Sequence, residues 1–210
     1  MCIRDRKSFE IKTSKTQRCF THGDLKKATN LLIVLHGYGQ LAEHFIRKFH
    51  QLPKNYYIVA PEAMHHFYLN GSSGRVGASW MTKEDRINNI ADNNEYLNNL
   101  VNFLQTENKF SELLVLGFSQ GGATAARWNA QRKDIDQLIL WASVFPPDLE
   151  ESSVGNSKNG TFVIGKHDEF YDAAAQANEI SKYRSLHFEI VEYDGKHDID
   201  ADTLKNILDR

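Results

Sequence analysis

Hydrophobic residues fall along this chain in two kinds of block, short unbroken aliphatic runs and longer segments with apolar positions at helical spacing. Leu31–Leu35 is five consecutive aliphatics with no polar alternation. Strands covered on both faces have this composition, which in a sheet of this size means parallel strands with helices above and below. Tyr56–Ala60, the run from Leu113, Gln137–Trp141, Thr161–Ile164 and Phe188–Val191 read as strands too. The spacing between them predicts helices over about 41–52, 84–105, from Ser119 onward, over 171–183, and after Asp200, which caps a closing helix carrying Leu204 and Leu208. In the 84–105 segment Ile87, Ile90, Leu97, Leu100, Val101 and Leu104 form one stripe with asparagines opposite. The 171–183 segment carries Ala174, Ala177 and Ile180 on one face.

Near the start, Ser8–Thr13 and Gln17–Thr21 predict two short strands forming a hairpin at the sheet edge, the first supported by the alternation Phe9-Glu10-Ile11-Lys12. Met64–Ser79, with its turn formers Asn70-Gly71-Ser72-Ser73-Gly74, predicts a long loop, and loops of that length in compact domains are usually functional or disordered. Pro146-Pro147 breaks the chain, and the polar stretch Asp148–Asn159 predicts a surface loop. Strand and helix otherwise alternate throughout, without repeats. The expected architecture is α/β, a doubly wound, mostly parallel sheet with helices on both faces. A single domain over 8–210 accounts for it. Residues 1–7 open with MCIRDR, which resembles a translated sequencing-adaptor scar, and are set outside that domain.

The candidate chemistry sits where strands end. Leu113–Ala126 reads LLVLGFSQGGATAA, an apolar run, then Gly-Phe-Ser-Gln-Gly, then a small-residue helix start. This is the pattern of a nucleophile elbow, in which a serine occupies a strained strand-to-helix turn and small neighbours leave it room. Three further strand ends carry suggestive residues, as expected of an open α/β sheet. Asp168 lies in Gly165-Lys166-His167-Asp168, His197 in Gly195-Lys196-His197, and the Leu31 run ends in His36-Gly37-Tyr38-Gly39. The chain order Ser119, Asp168, His197 is that of an α/β-hydrolase triad, with Ser119 as nucleophile, His197 as base and Asp168 orienting the imidazole. The backbone N–H groups of Gln120 and Tyr38 are the candidate oxyanion donors, with Gly37 and Gly39 letting the turn approach substrate closely. Glu169 and Asp172 compete with Asp168, and His167 competes with His197. His36 is expected to pack in its turn, and Asp194 and Asp198 to be solvated.

Composition narrows the partners. A net charge of −2 makes no electrostatic case for nucleic acid or an anionic membrane. Two cysteines form neither a disulfide framework nor a metal cluster, and the pair His65-His66 lacks further ligands at metal spacing. With no signal-peptide pattern and no apolar run of membrane-spanning length, a cytoplasmic protein is expected.

LLIVLHGYG, GASWMTKEDR, GFSQGGATA, GKHDEF and YDGKHDI together resemble the carboxylesterase/acyl-protein thioesterase (phospholipase/carboxylesterase) family of the α/β-hydrolase superfamily. The resemblance implies an α/β-hydrolase fold without a large cap domain. It implies hydrolysis of small-molecule esters or thioesters, without cofactor or metal, through an acyl-enzyme on Ser119. It further implies that Trp80, Val144 and Phe145 line the acyl pocket, and that the protein is a monomer or homodimer. Two features depart from the family pattern, Ala142-Ser143 where members often have Ser-Gly, and the distinctive 64–79 region. The leading expectation is a carboxylesterase. Acyl-thioesterase or lysophospholipase-like activity, a non-catalytic small-molecule receptor with an idle site, and a peptidase are the other readings.

Overall fold

The computed structural model describes residues 7–150 and 159–209. Its strands are β1 (Cys19–His22), β2 (Asn30–Leu35), β3 (Tyr56–Pro61), β4 (His65–Tyr68), β5 (Val76–Ser79), β6 (Glu112–Phe118), β7 (Gln137–Trp141), β8 (Gly160–Gly165) and β9 (Glu189–Tyr193). Its α-helices are α1 (Ala42–Phe45), α2 (Arg86–Glu107), α3 (Gln120–Gln131), α4 (Ala173–Ser185) and α5 (Ala201–Leu208). Seven strands form one sheet in the order β1-β3-β2-β6-β7-β8-β9. Only β1 runs antiparallel within it. Strands β4 and β5 make a separate antiparallel pair.

The unbroken aliphatic runs are explained by packing on both faces. Along β2, Leu31, Ile33 and Leu35 join one core cluster while Leu32 and Val34 join the other, as the two-residue period of a strand requires. The first cluster includes Leu97 and Val101 of α2, Ala125 and Trp128 of α3, and Tyr183 of α4. The second takes Phe45 of α1 and Leu204 and Ile207 of α5. This is the doubly wound α/β arrangement, with the carboxyl ends of the parallel strands at one rim.

Several local expectations are corrected. Ser8–Thr13 forms no strand, and its Phe9 and Ile11 are 84% and 71% exposed. Alternation alone does not make a strand where no neighbour covers the apolar side, and the edge strand that does form, β1, pairs with β3 rather than in a hairpin. The segment 64–79 is itself a hairpin, with His65 opposite Ser79 and the turn formers 70–74 at its tip. The helix expected over 41–52 is α1 followed by a 3₁₀ turn at Ile46–Phe49. On α4, Ala174 and Ala177 are exposed, and the sheet is covered instead by Tyr183, whose ring stacks on Phe162 at 4.0 Å. Of the loop expected over 148–159, residues 151–158 lie outside the described residues, as do residues 1–6.

The stripe of α2 is shifted from the one expected. Ile87 in its first turn is 82% exposed, whereas Asn93 and Asn94 are buried beside Leu97, Val101 and Leu104. Asn93 earns its place through its Nδ2, which donates to the Trp80 carbonyl at 2.7 Å. Asn94 has no such compensation, since neither its Oδ1 nor its Nδ2 has a hydrogen-bond partner. An unsatisfied buried polar group costs about 1–3 kcal/mol. Asn94→Leu, which has the same number of side-chain heavy atoms and no polar group, is therefore expected to raise the thermal midpoint, by roughly 2–4 °C for each kcal/mol recovered. A differential scanning calorimetry trace with an unchanged or lower midpoint would contradict this.

Candidate active site

Strand β6 ends and α3 begins with a single residue between them, Ser119, held at φ 52° and ψ −117°. A non-glycine residue in this region costs on the order of 1–3 kcal/mol and persists only where its surroundings enforce it. Here the Ser119 N–H donates to the Trp141 carbonyl at 2.8 Å, and the Ser119 carbonyl accepts from the Gly122 N–H at 2.9 Å. The flanking glycines are required by close approach. A Cβ on Gly117 would lie 2.5 Å from Gly122 Cα, one on Gly121 2.3 Å from the Leu35 carbonyl oxygen, and one on Gly122 2.3 Å from Ser143 Cβ. The turn is thus pressed between β2 and the end of β7.

Two strand ends away, the loop after β8 presents Asp168, whose side chain is fully buried, and the loop after β9 presents His197. The two side chains meet in a 2.7 Å hydrogen bond between His197 Nδ1 and Asp168 Oδ2. An ionised carboxylate only accepts, so Nδ1 carries the hydrogen and Nε2 keeps its lone pair. Asp168 Oδ1 is occupied separately, accepting from the Phe170 N–H at 3.0 Å. The imidazole packs between Phe118, at 4.8 Å between ring centroids, and Phe170, at 4.4 Å. Phe118 is the residue before Ser119, so the ring stands beside the elbow. Among the described residues no hydrogen bond joins Ser119 Oγ to His197 Nε2. The rival groups are engaged elsewhere. His167 pairs with Asp194 at 2.8 Å on the surface, Asp172 caps α4 by accepting from Ala175 N–H, and Glu169 accepts the His197 backbone N–H at 3.3 Å.

The loop after β2 closes over the same spot. A Cβ on Gly37 would lie 3.3 Å from Ser119 Cβ. The backbone N–H groups of Tyr38 and Gln120 donate to no other protein group among the described residues. For Gln120 this follows from its place at the start of α3, where helix N–H groups have no partner within the helix. His36 is buried in the turn. Desolvation lowers its pKa, its Nδ1–H donates to the Gly37 carbonyl at 2.8 Å, and its Nε2 accepts from the Ala63 N–H at 3.1 Å. It is a packing residue of the turn.

The residues expected to line an acyl pocket divide. Val144 is 54% exposed, but Phe145 is buried beneath α4, its ring edge-on to Tyr183 at 5.9 Å. Trp80 is wholly buried, so it offers no open surface to a substrate. Its indole N–H donates instead to the His36 carbonyl at 2.8 Å, and its backbone N–H to Gln120 Oε1 at 3.0 Å. Gln120 thereby anchors the 79–81 segment with its side chain while its own N–H stays open toward the elbow. Sequence reasoning missed two contributors. Phe170 covers the His197 ring, and the β4–β5 hairpin grips the loop after β2. Gly39 N–H donates to the Ala78 carbonyl at 2.9 Å and Ala78 N–H to the Gln40 carbonyl at 3.1 Å, while Tyr38 packs on Phe67 at 5.0 Å. The only sequence trace of this grip is the small pair Gly77-Ala78. Among the described residues no group of three His, Cys, Asp or Glu is placed to hold a metal ion.

The profile of the serine hydrolase (FSH1) family matches residues 26–204, a span that contains Tyr38, Ser119, Asp168 and His197. The chain belongs to this family. No curated protein sequence matches it. Solved structures similar to this serine hydrolase include Zea mays acyl-protein thioesterase 2, with TM-score 0.68 at 15% identity over 92% of this chain and 97% of that one. A phospholipase/carboxylesterase from Dyadobacter fermentans superposes with TM-score 0.60 at 18% identity, covering 94% and 99% of the two chains. Esterase PE8 does so with TM-score 0.62 at 17% identity, covering 91% and 96%. These likenesses establish the α/β-hydrolase fold of this family member. That all three partners are covered almost end to end accords with a hydrolase domain lacking a large cap.

Proposed function

We propose that this serine hydrolase cleaves small carboxylic esters through an acyl-enzyme on Ser119. The observation that carries the reading is the buried 2.7 Å Asp168–His197 hydrogen bond beside a serine held in a strained turn. A serine hydroxyl is a poor nucleophile at its own pKa and needs a base within reach. With Nδ1–H committed to Asp168, His197 Nε2 takes the Ser119 proton as Oγ attacks the ester carbonyl. The tetrahedral oxyanion is received by the Tyr38 and Gln120 N–H groups, each worth a few kcal/mol in the transition state. Collapse expels the alcohol, which leaves with the proton from His197. A water then attacks the acyl-enzyme by the same route, with His197 again as base, and releases the acid. Hydrogen bonds of this kind are often long without substrate and tighten in the reacting complex, which accommodates the open Ser119–His197 contact.

The reaction uses only the chain's own groups and water. The substrate proposed is a small molecule met in the cytoplasm by a monomer or homodimer; no described helix is long and apolar enough to cross a membrane. A thioester would be handled by the same steps, and one structural neighbour is named an acyl-protein thioesterase. The reading is tested with the wild-type protein, a fluorophosphonate probe, and p-nitrophenyl acetate and butyrate beside their thioester counterparts. Rapid, stoichiometric modification of Ser119 and turnover of the esters are expected. A protein that is folded yet neither labelled nor active would be a receptor with an idle site, and faster thioester cleavage would move the substrate class to sulfur.

A further inference from the structure

We propose that Glu62 is a positioning residue for the oxyanion hole, its buried carboxylate holding the 36–42 strap so that the Tyr38 N–H faces the elbow. The inference rests on the role given to Tyr38 above. Glu62 follows β3, stands outside the Ser119–His197–Asp168 line, and has a side chain with no exposure to solvent. A buried carboxylate is costly unless charged and polar partners surround it. Two of its partners belong to the strap or to the hairpin that grips it, Ala42 and His66, and the third, Arg18, lies just before β1.

Carboxylate oxygen Oε2 accepts from the Ala42 N–H at 2.7 Å, the last residue of the strap and the first of α1. The next residue after Glu62, Ala63, donates its N–H to His36 Nε2 at the strap's other end. Residues 62 and 63 thus hold both ends of the segment that carries Tyr38. Oxygen Oε1 accepts from His66 Nε2 at 2.9 Å and from the Arg18 guanidinium. His66 lies on β4 directly opposite Ala78 of β5. Ala78 is the residue that hydrogen-bonds Gly39 and Gln40 in the middle of the strap. One carboxylate therefore acts on the strap directly at its end and, through His66 and Ala78, at its centre. Tyr38 is bracketed by these contacts while its own N–H is spent on none of them. Burial raises the carboxyl's pKa, but the bonds from His66, the Ala42 N–H and Arg18 together outweigh it and hold Glu62 below the usual carboxylate range.

A group that only stabilised the fold would change how much protein is competent, not how fast each competent molecule turns over. The test therefore counts working sites with a fluorophosphonate and expresses kcat per titrated site, with KM for p-nitrophenyl butyrate and Ki for an alkyl trifluoromethyl ketone that forms a tetrahedral adduct. Glu62→Ala is expected to lower kcat per site by about 10- to 100-fold and to weaken the ketone similarly. KM should move by less than about threefold, since the lost interaction belongs to the transition state. Glu62→Gln, which keeps an oxygen for the Ala42 N–H, should recover most of the loss. Lys12→Ala, which removes an exposed ion pair with Glu95 outside this network, should turn over at the wild-type rate per site. If Glu62→Ala does not fold, His66→Ala carries the test, with a several-fold fall in kcat per site expected. Wild-type kcat per site in the folded Glu62→Ala or His66→Ala protein overturns the proposal, as does a loss in Glu62→Gln equal to that in Glu62→Ala. Failure of the wild-type protein itself to react with the fluorophosphonate is a different result, and overturns the reading of Ser119 instead.

Discussion

Ser119→Ala is expected to lower kcat for p-nitrophenyl esters by on the order of 10⁴- to 10⁶-fold while leaving the protein folded. The two halves of this expectation come from different features of the elbow. The hydroxyl supplies the atom to which the acyl group is joined, and no other group near it can substitute, because His167, Asp172 and Asp194 are occupied in surface contacts and a cap. The backbone of residue 119, by contrast, is held by its own N–H and carbonyl and by the glycine contacts around it, none of which uses Oγ. Alanine has the same Cβ and meets the same strain at φ 52°. Steady-state rates beside circular dichroism and a melting midpoint check both halves. A folded variant retaining a tenth of the wild-type rate would remove the serine from the reaction.

Asp168→Asn is expected to cost about 10⁴-fold in kcat, the scale seen when the orienting acid of such a site becomes an amide. The local geometry says why the loss should be so large. Asp168 Oδ1 accepts the Phe170 backbone N–H at 3.0 Å. An asparagine satisfies that donor only by placing its carbonyl oxygen there, which turns its NH₂ toward His197 Nδ1. Nδ1 must then accept, the ring proton moves to Nε2, and the nitrogen that faces the nucleophile can no longer take its proton. The side chain keeps its shape and burial, so stability should fall far less than rate. Asp172→Asn and Asp194→Asn serve as comparisons and should stay within about threefold of wild type, because a surface substitution away from the reacting groups changes little. A near-wild-type rate for Asp168→Asn would place the orienting acid elsewhere.

Much of the fold was legible in the linear pattern. Unbroken aliphatic runs such as Leu31–Leu35 and Leu138–Leu140 can only be satisfied by cover on both faces, and the structure buries each between two helical layers. The elbow was legible for a related reason, because Gly117, Gly121 and Gly122 mark a turn too tight for side chains whatever lies around it. The acid and the histidine were legible as strand-end residues in the right order, although their meeting across 29 positions is a property of the sheet order β8-β9.

Other features were not recoverable from periodicity. Ser8–Thr13 alternates as a strand should, yet has no neighbour to cover it and remains irregular. Trp80 and Phe145 look equally suited to a pocket or a core, and only their surroundings bury them. Asn93 reads as a solvent-facing residue until the Trp80 carbonyl is placed within 2.7 Å of it.

The sequence by itself determined the period, the burial on both faces and the local backbone constraints, and from these the doubly wound sheet and the position of Ser119 in its turn. What only the tertiary structure decided is which groups, distant along the chain, satisfy one another. Glu62 meeting Ala42 and His66, Trp80 meeting the His36 carbonyl, and the β4–β5 hairpin meeting Gly39 are of this kind. The physical reason is that hydrophobic pattern is a property of neighbouring residues, whereas a buried donor or acceptor is satisfied by whichever partner the folded chain brings within reach.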